Sequence, residues 1–496
     1  MSNCDVILVG YGPTSAILAN VLGSYGWRVD VFERMAELHD LPRAVHFDGE
    51  VMRIFQRLQL ADKIVTETET EKVQGMDMLN AEGKLLSRYT ASSGLSSQGW
   101  YEGYMFHQPA LERTLREAVG RYPNVRVHLG TEIDSITVEG EAAVVRGSGP
   151  LGLTTASARY VVGCCGGRSI TGAVIQTEPI DYRADQTWIV VDVKLLHDPG
   201  LPDVTVQYCD PARPSTYVPS PGLLRRFELM LLPAELAADM MTPERIGTLL
   251  SRWLQPSDYV VERAAVYTFH ATLAGRWRKG RLLVAGDAAH QMPPFLGQGL
   301  GAGARDAVNL GWKLDLVLRG MANDTLLDTY QTERSPHVQA TIESDLWLSN
   351  IIQTTDPEMA RQRDLQMTAA GADGALVPPT PSLGEGLCGA DAASGRPFIQ
   401  PVLASGLLHD ALLGDGFALL GATTPSAWAQ HVLQWLGTRW VSDPAPEVME
   451  WLHSHGATAV LVRPDRYVQA LIHDTQSLDH ALAPLAAHLF LDSVAA

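Results

Sequence analysis

Short apolar segments alternate with glycine turns at the start of the chain. Val6 to Val9 is a four-residue apolar run that ends at Gly10, which predicts a buried parallel strand followed by a turn. Thr14 to Tyr25 has helical composition, and Arg28 to Phe32 predicts a second strand that ends at Glu33. The opening pattern therefore predicts a strand, a glycine turn, a helix and a strand.

The rest of the chain changes its pattern several times. Residues 40 to 110 look helical and mixed, with a helix predicted from Leu41 to Leu60. Residues 185 to 275 alternate apolar and polar positions, which predicts an antiparallel sheet. Further strands and helices are predicted at Gln108 to Val119 (helix), Arg281 to Ala285 (strand), Ala304 to Arg319 (helix), Phe417 to Leu420 (strand) and Ala459 to Val462 (strand).

Composition and charge exclude several classes of protein. The 496 residues are 46% hydrophobic and 19% charged, as in a globular protein of two or three domains. The formal charge of −18 disfavours a surface that neutralises nucleic-acid phosphates. No stretch of 18 apolar residues predicts a membrane helix. The five cysteines have neither CxxC nor zinc-site spacing, so we expect no metal site and a reducing, cytoplasmic location.

The first glycine turn has the spacing of a dinucleotide-binding fingerprint. Gly10 and Gly12 allow the backbone to approach a pyrophosphate, Pro13 opens the helix whose N–H groups face it, and Glu33 can accept from a ribose hydroxyl. The third glycine of the pattern is Ser15. A βα turn without a ligand is the alternative, and the flanking strand and helix favour binding.

A second signal lies about 250 residues further along. Gly286 and Asp287 follow a predicted buried strand, and a carboxylate there can accept from a sugar-like hydroxyl. A glycine-rich loop comes next, and the helix after it would direct its positive end at the same place. A flavin ring fits these features. The loop residues concerned are Gly297, Gly299, Leu300 and Gly301.

At these residues the chain resembles the FAD-dependent aromatic hydroxylases, in particular the branch of the 3-(3-hydroxyphenyl)propionate hydroxylases. The resemblance implies an α/β fold with a Rossmann-like FAD-binding domain (1–180 and 276–355), an inserted antiparallel sheet domain that binds substrate (181–275) and a C-terminal thioredoxin-like domain without CxxC (380–496). The motifs that carry it are Gly10 to Pro13, Pro42 to Ala44, Gln108-Pro109, Gln186 to Asp192, Arg225 to Glu228, Gly286 to His290, Gly297 to Gly299 and Arg463 to Arg466.

The resemblance also implies the chemistry. NADPH or NADH reduces noncovalently bound FAD, O₂ adds to give a C4a-hydroperoxyflavin, and one oxygen is transferred to an activated, usually phenolic ring. The partners implied are therefore a small aromatic substrate and O₂, and a homodimer is left open.

The same resemblance assigns roles to single residues. Glu33 would bind the adenosine ribose, Arg43 and Gln108 the phosphate and ribityl region, and Asp287 a ribityl hydroxyl. Pro293 and Pro294 would line the substrate side of the flavin ring and, with Arg43, form the catalytic set. Substrate contacts are assigned to Trp188, Tyr217, Arg226, Phe227 and Leu296, with core packing, or ion pairing for the arginine, left open as the alternative.

Two positions depart from the family pattern. Cys165 stands where relatives have an aspartate, and Gly172 stands where they have an arginine, in a motif associated with holding FAD and NAD(P)H. The competing function is therefore a flavin-binding auxiliary protein that has lost hydroxylation.

Overall fold

The computed structural model of this protein describes residues 2–38, 43–68, 70–371 and 380–491. Within these residues the strands are β1 (Ser2–Val9), β2 (Val29–Glu33), β3 (His46–Asp48), β4 (Glu71–Lys72), β5 (Gly75–Leu79), β6 (Leu85–Thr90), β7 (Gly103–Met105), β8 (Val125–Leu129), β9 (Glu132–Glu139), β10 (Ala142–Gly149), β11 (Gly152–Gly163), β12 (Pro179–Asp181), β13 (Gln186–Leu195), β14 (Thr205–Tyr208), β15 (Ser215–Pro219), β16 (Leu224–Met230), β17 (Tyr259–Phe269), β18 (Thr272–Ala274), β19 (Arg278–Lys279), β20 (Leu282–Val284), β21 (His290–Gln291), β22 (Ala418–Gly421), β23 (Arg439–Val441), β24 (Ala459–Val462) and β25 (Val468–Ile472).

Helices connect and cover these strands. The α-helices of the described ranges are α1 (Pro13–Ser24), α2 (Gly49–Arg57), α3 (Ala61–Glu67), α4 (Gln108–Val119), α5 (Ile170–Ile175), α6 (Ala237–Met240), α7 (Pro243–Leu250), α8 (Gly299–Leu318), α9 (Asp328–Ile352), α10 (Pro357–Ala370), α11 (Ala427–Trp435), α12 (Pro446–Ser454) and α13 (Thr475–Ala486). Short 3₁₀ turns lie at Gly286–Ala288, Asp324–Leu327 and His409–Leu412. Among these helices none is both long and apolar enough to cross a membrane.

A parallel sheet brings the two glycine motifs to one edge. Its strands run in the order β20-β11-β1-β2-β8, all parallel, and β1 is buried at its centre. Val9 lies opposite both Phe32 and Gly163, and Gly163 lies opposite Val284. Because parallel strands end on the same side, the turns after β1, β2, β11 and β20 meet there. Ligands bind at this edge in open α/β sheets.

The second large sheet has seven strands, in the order β17-β13-β16-β15-β14-β5-β6. All neighbouring pairs are antiparallel except β14 with β5. β5 and β6 come from residues 75–90, in the region that the sequence had indicated to be helical and mixed. These strands are short and rich in Met and Leu, which occur in helices as well as in strands. The pairing of β5 with the distant β14 makes them strands.

Two predicted helix starts are wrong. The helix predicted from Leu41 begins instead at Gly49, where the Asp48 side chain accepts from the N–H of Val51 at 3.1 Å, and β3 precedes it; residues 39–42 lie outside the described ranges. The helix predicted from Ala304 begins at Gly299. Its glycines allow close packing on α1, because a Cβ on Gly303 would overlap Thr14 Oγ1.

The C-terminal part forms a separate mixed sheet, β23-β22-β24-β25, accompanied by α11, α12 and α13. A buried ion cluster joins it to the rest of the molecule. Arg463 donates to Glu333 Oε1 and Oε2, each at 2.9 Å, and Lys313 donates to Glu333 Oε2 at 2.6 Å. Asp465 accepts from Arg463 in the same cluster. Four charged side chains thus fix the C-terminal sheet against α8 and α9.

Candidate active site

A cavity of about 1030 Å³ lies between the carboxyl edge of the parallel sheet and one face of the seven-stranded sheet. The glycine turn after β1, the end of β2, the Cys164 to Gly166 turn and the 291–300 loop line one part of it. Side chains of β14, β15 and β16 line the other part. Both predicted ends of the site therefore open into a single space.

The turn after β1 is built for close backbone approach. Gly10 has φ +95°, and a Cβ there would lie 2.6 Å from the carbonyl oxygen of Cys164. Gly12 precedes α1 as its N-cap without a side-chain hydrogen bond, and a Cβ on it would meet nothing within 4 Å. Pro13 is the first residue of α1 and also lines the cavity. These residues fit an anionic pyrophosphate at the helix N-terminus.

Glu33 lies at the end of β2 and lines the same part of the cavity. Its Oε2 accepts from the N–H of Tyr11 at 2.8 Å, and its Oε1 accepts from the N–H of Met35 at 2.9 Å. Each carboxylate oxygen retains lone-pair capacity for a ribose hydroxyl.

The side chain of Gln108 binds the backbone of the segment that contains Arg43. Gln108 Oε1 accepts from the N–H groups of Arg43 and Ala44 at 2.7 and 2.6 Å, and its Nε2 donates to Glu112 Oε1 at 2.6 Å. Arg226 Nη1 donates to the carbonyl of Arg43 at 2.8 Å. Two distant side chains thus hold the backbone of Arg43, whose own side chain is exposed at the cavity.

The 287–300 segment supplies the middle of the cavity. Asp287 is exposed there, and Pro293, Pro294 and Leu296 line the wall. The N–H of Gly297 donates to the carbonyl of Pro294 at 2.9 Å, which closes a turn before α8. Gly297, Gly299 and Leu300 also line the cavity, and α8 has no side-chain N-cap. A second helix N-terminus therefore faces the cavity and suits negative charge on a bound ring.

Two glycines of the predicted set support the site without lining it. Gly286 has φ +61°, and a Cβ on it would lie 2.5 Å from Thr14 Oγ1. Gly301 lies inside α8, where a Cβ would be 2.7 Å from Arg305 Nη1. Asp306, which the sequence did not indicate, accepts from the N–H of Gly286 at 3.0 Å and lies 2.7 Å from His290 Nε2.

Three of the residues predicted to contact substrate do not line the cavity. Tyr217 and Phe227 pair across β15 and β16 and point to the opposite face, where Phe227 packs on Trp253. Trp188 is fully buried and packs on Phe295, outside the cavity lining. Side chains alternate between the faces of a strand, so the neighbours of the first two residues line the cavity instead.

Arg226 does line the cavity, and its charge is balanced there. Its guanidinium donates to both oxygens of Asp192, at 2.7 and 3.1 Å, and lies 3.8 Å from Glu228. Arg263 also approaches Asp192, at 3.5 Å. The ion-pairing alternative therefore describes this arginine.

Sequence reasoning missed three polar residues on the cavity face, Gln207, Thr216 and Glu228. Burial, with a smaller addition from Asp192, raises the pKa of the Glu228 carboxyl, and Arg226 opposes that rise. The alternation around Phe227 could have indicated that Glu228 shares the cavity face with Arg226, but the choice of face depends on the packing.

The two departures from the family pattern meet at one hydroxyl. Cys165 Sγ lies 3.2 Å from Ser169 Oγ, and the N–H of Gly172 donates to the same oxygen at 3.1 Å. Cys165 lines the cavity. Burial raises the pKa of the adjacent Cys164 thiol well above its ordinary value.

Comparisons with known proteins agree with this geometry. A family model described as the FAD binding domain matches residues 3–345. The chain is 36% identical to the probable NADH-specific resorcinol 4-hydroxylase of Rhodococcus jostii (strain RHA1), with 96% of this chain and 93% of that protein covered. It is 33% identical to the 3-(3-hydroxy-phenyl)propionate/3-hydroxycinnamic acid hydroxylase of Mycolicibacterium smegmatis (strain ATCC 700084 / mc(2)155), with 94% and 90% covered.

The fold is also that of known flavoproteins. The crystal structure of aklavinone-11 hydroxylase in ternary complex with FAD and aklavinone matches with a TM-score of 0.80 at 23% identity, over 98% of this chain and 100% of that one. The fold, together with the match to the FAD binding domain, defines a FAD-binding α/β protein. The chain belongs to the FAD-dependent aromatic hydroxylases, which are NAD(P)H-dependent flavoprotein monooxygenases. This membership disfavours the auxiliary-protein alternative.

Proposed function

We propose that this enzyme hydroxylates a small phenolic ring with O₂, using NADH as the reductant. When bound, FAD would accept two electrons from the dinucleotide and use them to activate O₂. The chain's own residues bind the flavin, orient the ring and exclude water from the reacting atoms.

One observation carries the proposal: a single cavity connects the dinucleotide end with the polar face of the seven-stranded sheet. At the first end, Gly10, Gly12, Pro13 and Glu33 would hold the adenosine half of FAD. In the middle, Asp287 would accept from the ribityl chain, and the N-terminus of α8 would face the flavin ring. The second end would then hold the substrate, with Pro293, Pro294 and Leu296 on the wall beside it.

The roles of Arg43 and Gln108 become more specific in this arrangement. Gln108 accepts one hydrogen bond from the N–H of Arg43 and one from the N–H of Ala44, and these two bonds position the Arg43 backbone. Arg43 would therefore approach FAD with its exposed side chain, while Gln108 acts through it. The name of the Rhodococcus relative supports NADH rather than NADPH.

Product analysis tests the proposal. Purified holoenzyme is mixed with NADH or NADPH and with resorcinol, phenol or 3-(3-hydroxyphenyl)propionate, while oxygen uptake and product mass are followed. We expect a product with one added oxygen for at least one phenol, faster turnover with NADH, and faster flavin reduction when that phenol is present. Oxygen uptake that yields only hydrogen peroxide with every phenol would contradict hydroxylation.

Three further features belong to the proposal. The five cysteines are all unpaired thiols, which supports a reducing compartment such as the cytoplasm. We retain the domain division at 1–180 with 276–355, 181–275 and 380–496, and add residues 75–90 to the sheet domain. A homodimer remains a prediction that light scattering of the holoenzyme would measure.

A further inference from the structure

We infer that Gln207, Thr216 and Glu228, here called the polar row, form a subsite that holds two hydroxyl groups of a neutral aromatic ring. Glu228 accepts a hydrogen bond from one hydroxyl, and the Gln207 amide donates to the oxygen of the other. This inference rests on the proposed function and specifies the substrate class: dihydroxylated rings without a carboxylate.

Strand register creates the polar row. Gln207 on β14 lies opposite Thr216 on β15, and Thr216 lies opposite Glu228 on β16. Adjacent strands lie about 4.8 Å apart, so the three side chains stand side by side on one face. All three line the cavity, although only 2%, 3% and 7% of their respective surfaces are exposed.

The hydrogen bonds within the row leave the amide N–H₂ group of Gln207 and the carboxylate of Glu228 available to a ligand. Thr216 Oγ1 donates to Gln207 Oε1 at 2.5 Å, which uses the hydroxyl hydrogen and orients the Gln207 amide. Among the described residues, none pairs with the Gln207 Nε2 donors. Glu228 has an ion-pair contact with Arg226 at 3.8 Å, which is too long for a hydrogen bond. Buried polar groups need partners, and ring hydroxyls can both accept from the amide and donate to the carboxylate.

The charges beside the row disfavour an acidic substrate. Asp192 on β13 takes two hydrogen bonds from Arg226 on β16 and a longer contact from Arg263 on β17. β14 and β15 present the uncharged Gln207 and Thr216. A carboxylate on the ring would meet the acid of Glu228, while the guanidinium of Arg226, 3.8 Å from Glu228, is already bound to Asp192. Like charges at such a site are unfavourable.

Glu228 can also take up the hydroxyl proton. The O–H bond of the ring hydroxyl breaks, the proton forms a bond to a carboxylate oxygen of Glu228, and the electron pair stays on the ring oxygen, which enriches the ring in electrons. In the overall reaction one atom of O₂ is added to the ring, and the other is reduced to water with the two electrons of NADH. The hydroxylated carbon then loses its proton to solvent, and Glu228 returns its own proton to the ring oxygen. The raised pKa of this carboxyl makes it a better acceptor than an exposed glutamate.

Steady-state kinetics of holoenzyme variants test the subsite. In the parent, we expect kcat/KM with NADH to be at least about tenfold higher for resorcinol than for phenol or 3-(3-hydroxyphenyl)propionate. Phenol lacks the hydroxyl that would pair with the second group of the row. The propionate also brings an unpaired carboxylate into the site. In Glu228→Gln, resorcinol kcat/KM should fall about tenfold or more, and the acidic limb of its pH profile should disappear. The amount of hydrogen peroxide formed per NADH should rise, because a ring that is no longer held and deprotonated is hydroxylated less often.

Two further variants separate this role from a folding defect. Glu262→Gln changes an exposed carboxylate on β17 of the same sheet and should match the parent. Gln207→Met should raise the KM for resorcinol more than the KM for phenol, which has no second hydroxyl for the amide to bind. FAD content and Tm are measured for each variant.

The outcomes distinguish this inference from the proposed function. A parent that prefers the carboxylated phenol, or a Glu228→Gln enzyme with the parent's resorcinol kcat/KM and pH profile, would overturn the subsite while hydroxylation stands. If no phenol is hydroxylated, the Kd of resorcinol is measured from the flavin absorbance change. A weaker Kd in Glu228→Gln then supports the subsite alone, and an equal Kd overturns it.

Discussion

Glu33 and Tyr11 are joined by a hydrogen bond of 2.8 Å between a carboxylate oxygen and a backbone N–H. The acid at the end of β2 thereby fixes the glycine turn that follows β1. The same carboxylate has lone pairs for a ribose hydroxyl, so its structural contact and its proposed ligand contact depend on one orientation of the side chain.

Replacement Glu33→Gln should therefore weaken both functions. The amide places an N–H₂ group opposite a backbone donor, and loss of a charged hydrogen bond is worth about 1.5 to 3 kcal/mol. We expect the Kd of FAD to rise at least about tenfold and the apoprotein Tm to fall. Fluorescence titration of apoprotein with FAD measures this. Glu82→Gln, in an exposed turn, is the control, and an unchanged FAD affinity at Glu33→Gln would exclude the ribose assignment.

Asp287→Ala should separate binding from stability. Asp287 is exposed to the cavity and has no hydrogen bond or ion pair within the described ranges, so its removal leaves no protein group unpaired. We expect the apoprotein Tm to be unchanged and FAD affinity to fall by about 1.5 to 3 kcal/mol. FAD content after dialysis, followed by absorbance, is the measurement. Full occupancy after dialysis would argue against a contact with the ribityl chain.

The dinucleotide end could be predicted because its residues are close in sequence. Gly10, Gly12 and Glu33 lie within one strand-helix-strand unit, and local spacing is enough to place them at one sheet edge. FAD and the family were predicted from these motifs and are confirmed.

The substrate end could not be predicted in the same way. Tyr217 and Phe227 lie on strands with apolar residues on both faces, and only packing on Trp253 determines which face is inside. Gln207 and Glu228 come to one face of the sheet, on either side of Thr216, through the register of three strands that are separated by loops. No local pattern specifies that register.

A buried histidine predicts a pH dependence of stability. Burial lowers the pKa of His409 to about 4; Asp410 opposes this shift, and Arg53 and Arg466 add to it. Neither ring nitrogen has a hydrogen-bond partner among the described residues. The folded state keeps the ring neutral, whereas the unfolded state takes up a proton below about pH 6.5. Stability should therefore fall as the pH is lowered from 6.5 towards 4.

The expected loss from this group between pH 7 and pH 5 is up to about 2 kcal/mol. His409→Gln should show a smaller decrease in Tm over this interval than the parent. His453→Gln, at an exposed position of α12, provides the comparison and should behave as the parent does. Identical Tm decreases in the parent and in His409→Gln would mean that other groups cause the acid sensitivity.

The last prediction concerns Cys165 and Gly172, which both contact Ser169 Oγ. Cys165→Asp would place a carboxylate on a cavity that must accept anionic cofactors, without the arginine that the family resemblance implies at position 172. We expect a lower Tm and slower flavin reduction by NADH, because an unpaired charge in a partly buried site is unfavourable. Cys165→Asn introduces a side chain of the same size as aspartate but without its charge, and it should have a smaller effect.

The arginine can be restored in the same background. A Cβ on Gly172 would have no neighbour closer than 3.5 Å, so Gly172→Arg can begin its side chain without overlap. The Cys165→Asp/Gly172→Arg double variant should recover part of the lost reduction rate and Tm, because the two charges then compensate each other. A double-mutant cycle on both quantities measures the coupling. A Cys165→Asp variant whose flavin is reduced faster than that of the parent would contradict compensation between the two positions. It would show instead that the natural cysteine lowers the rate of flavin reduction.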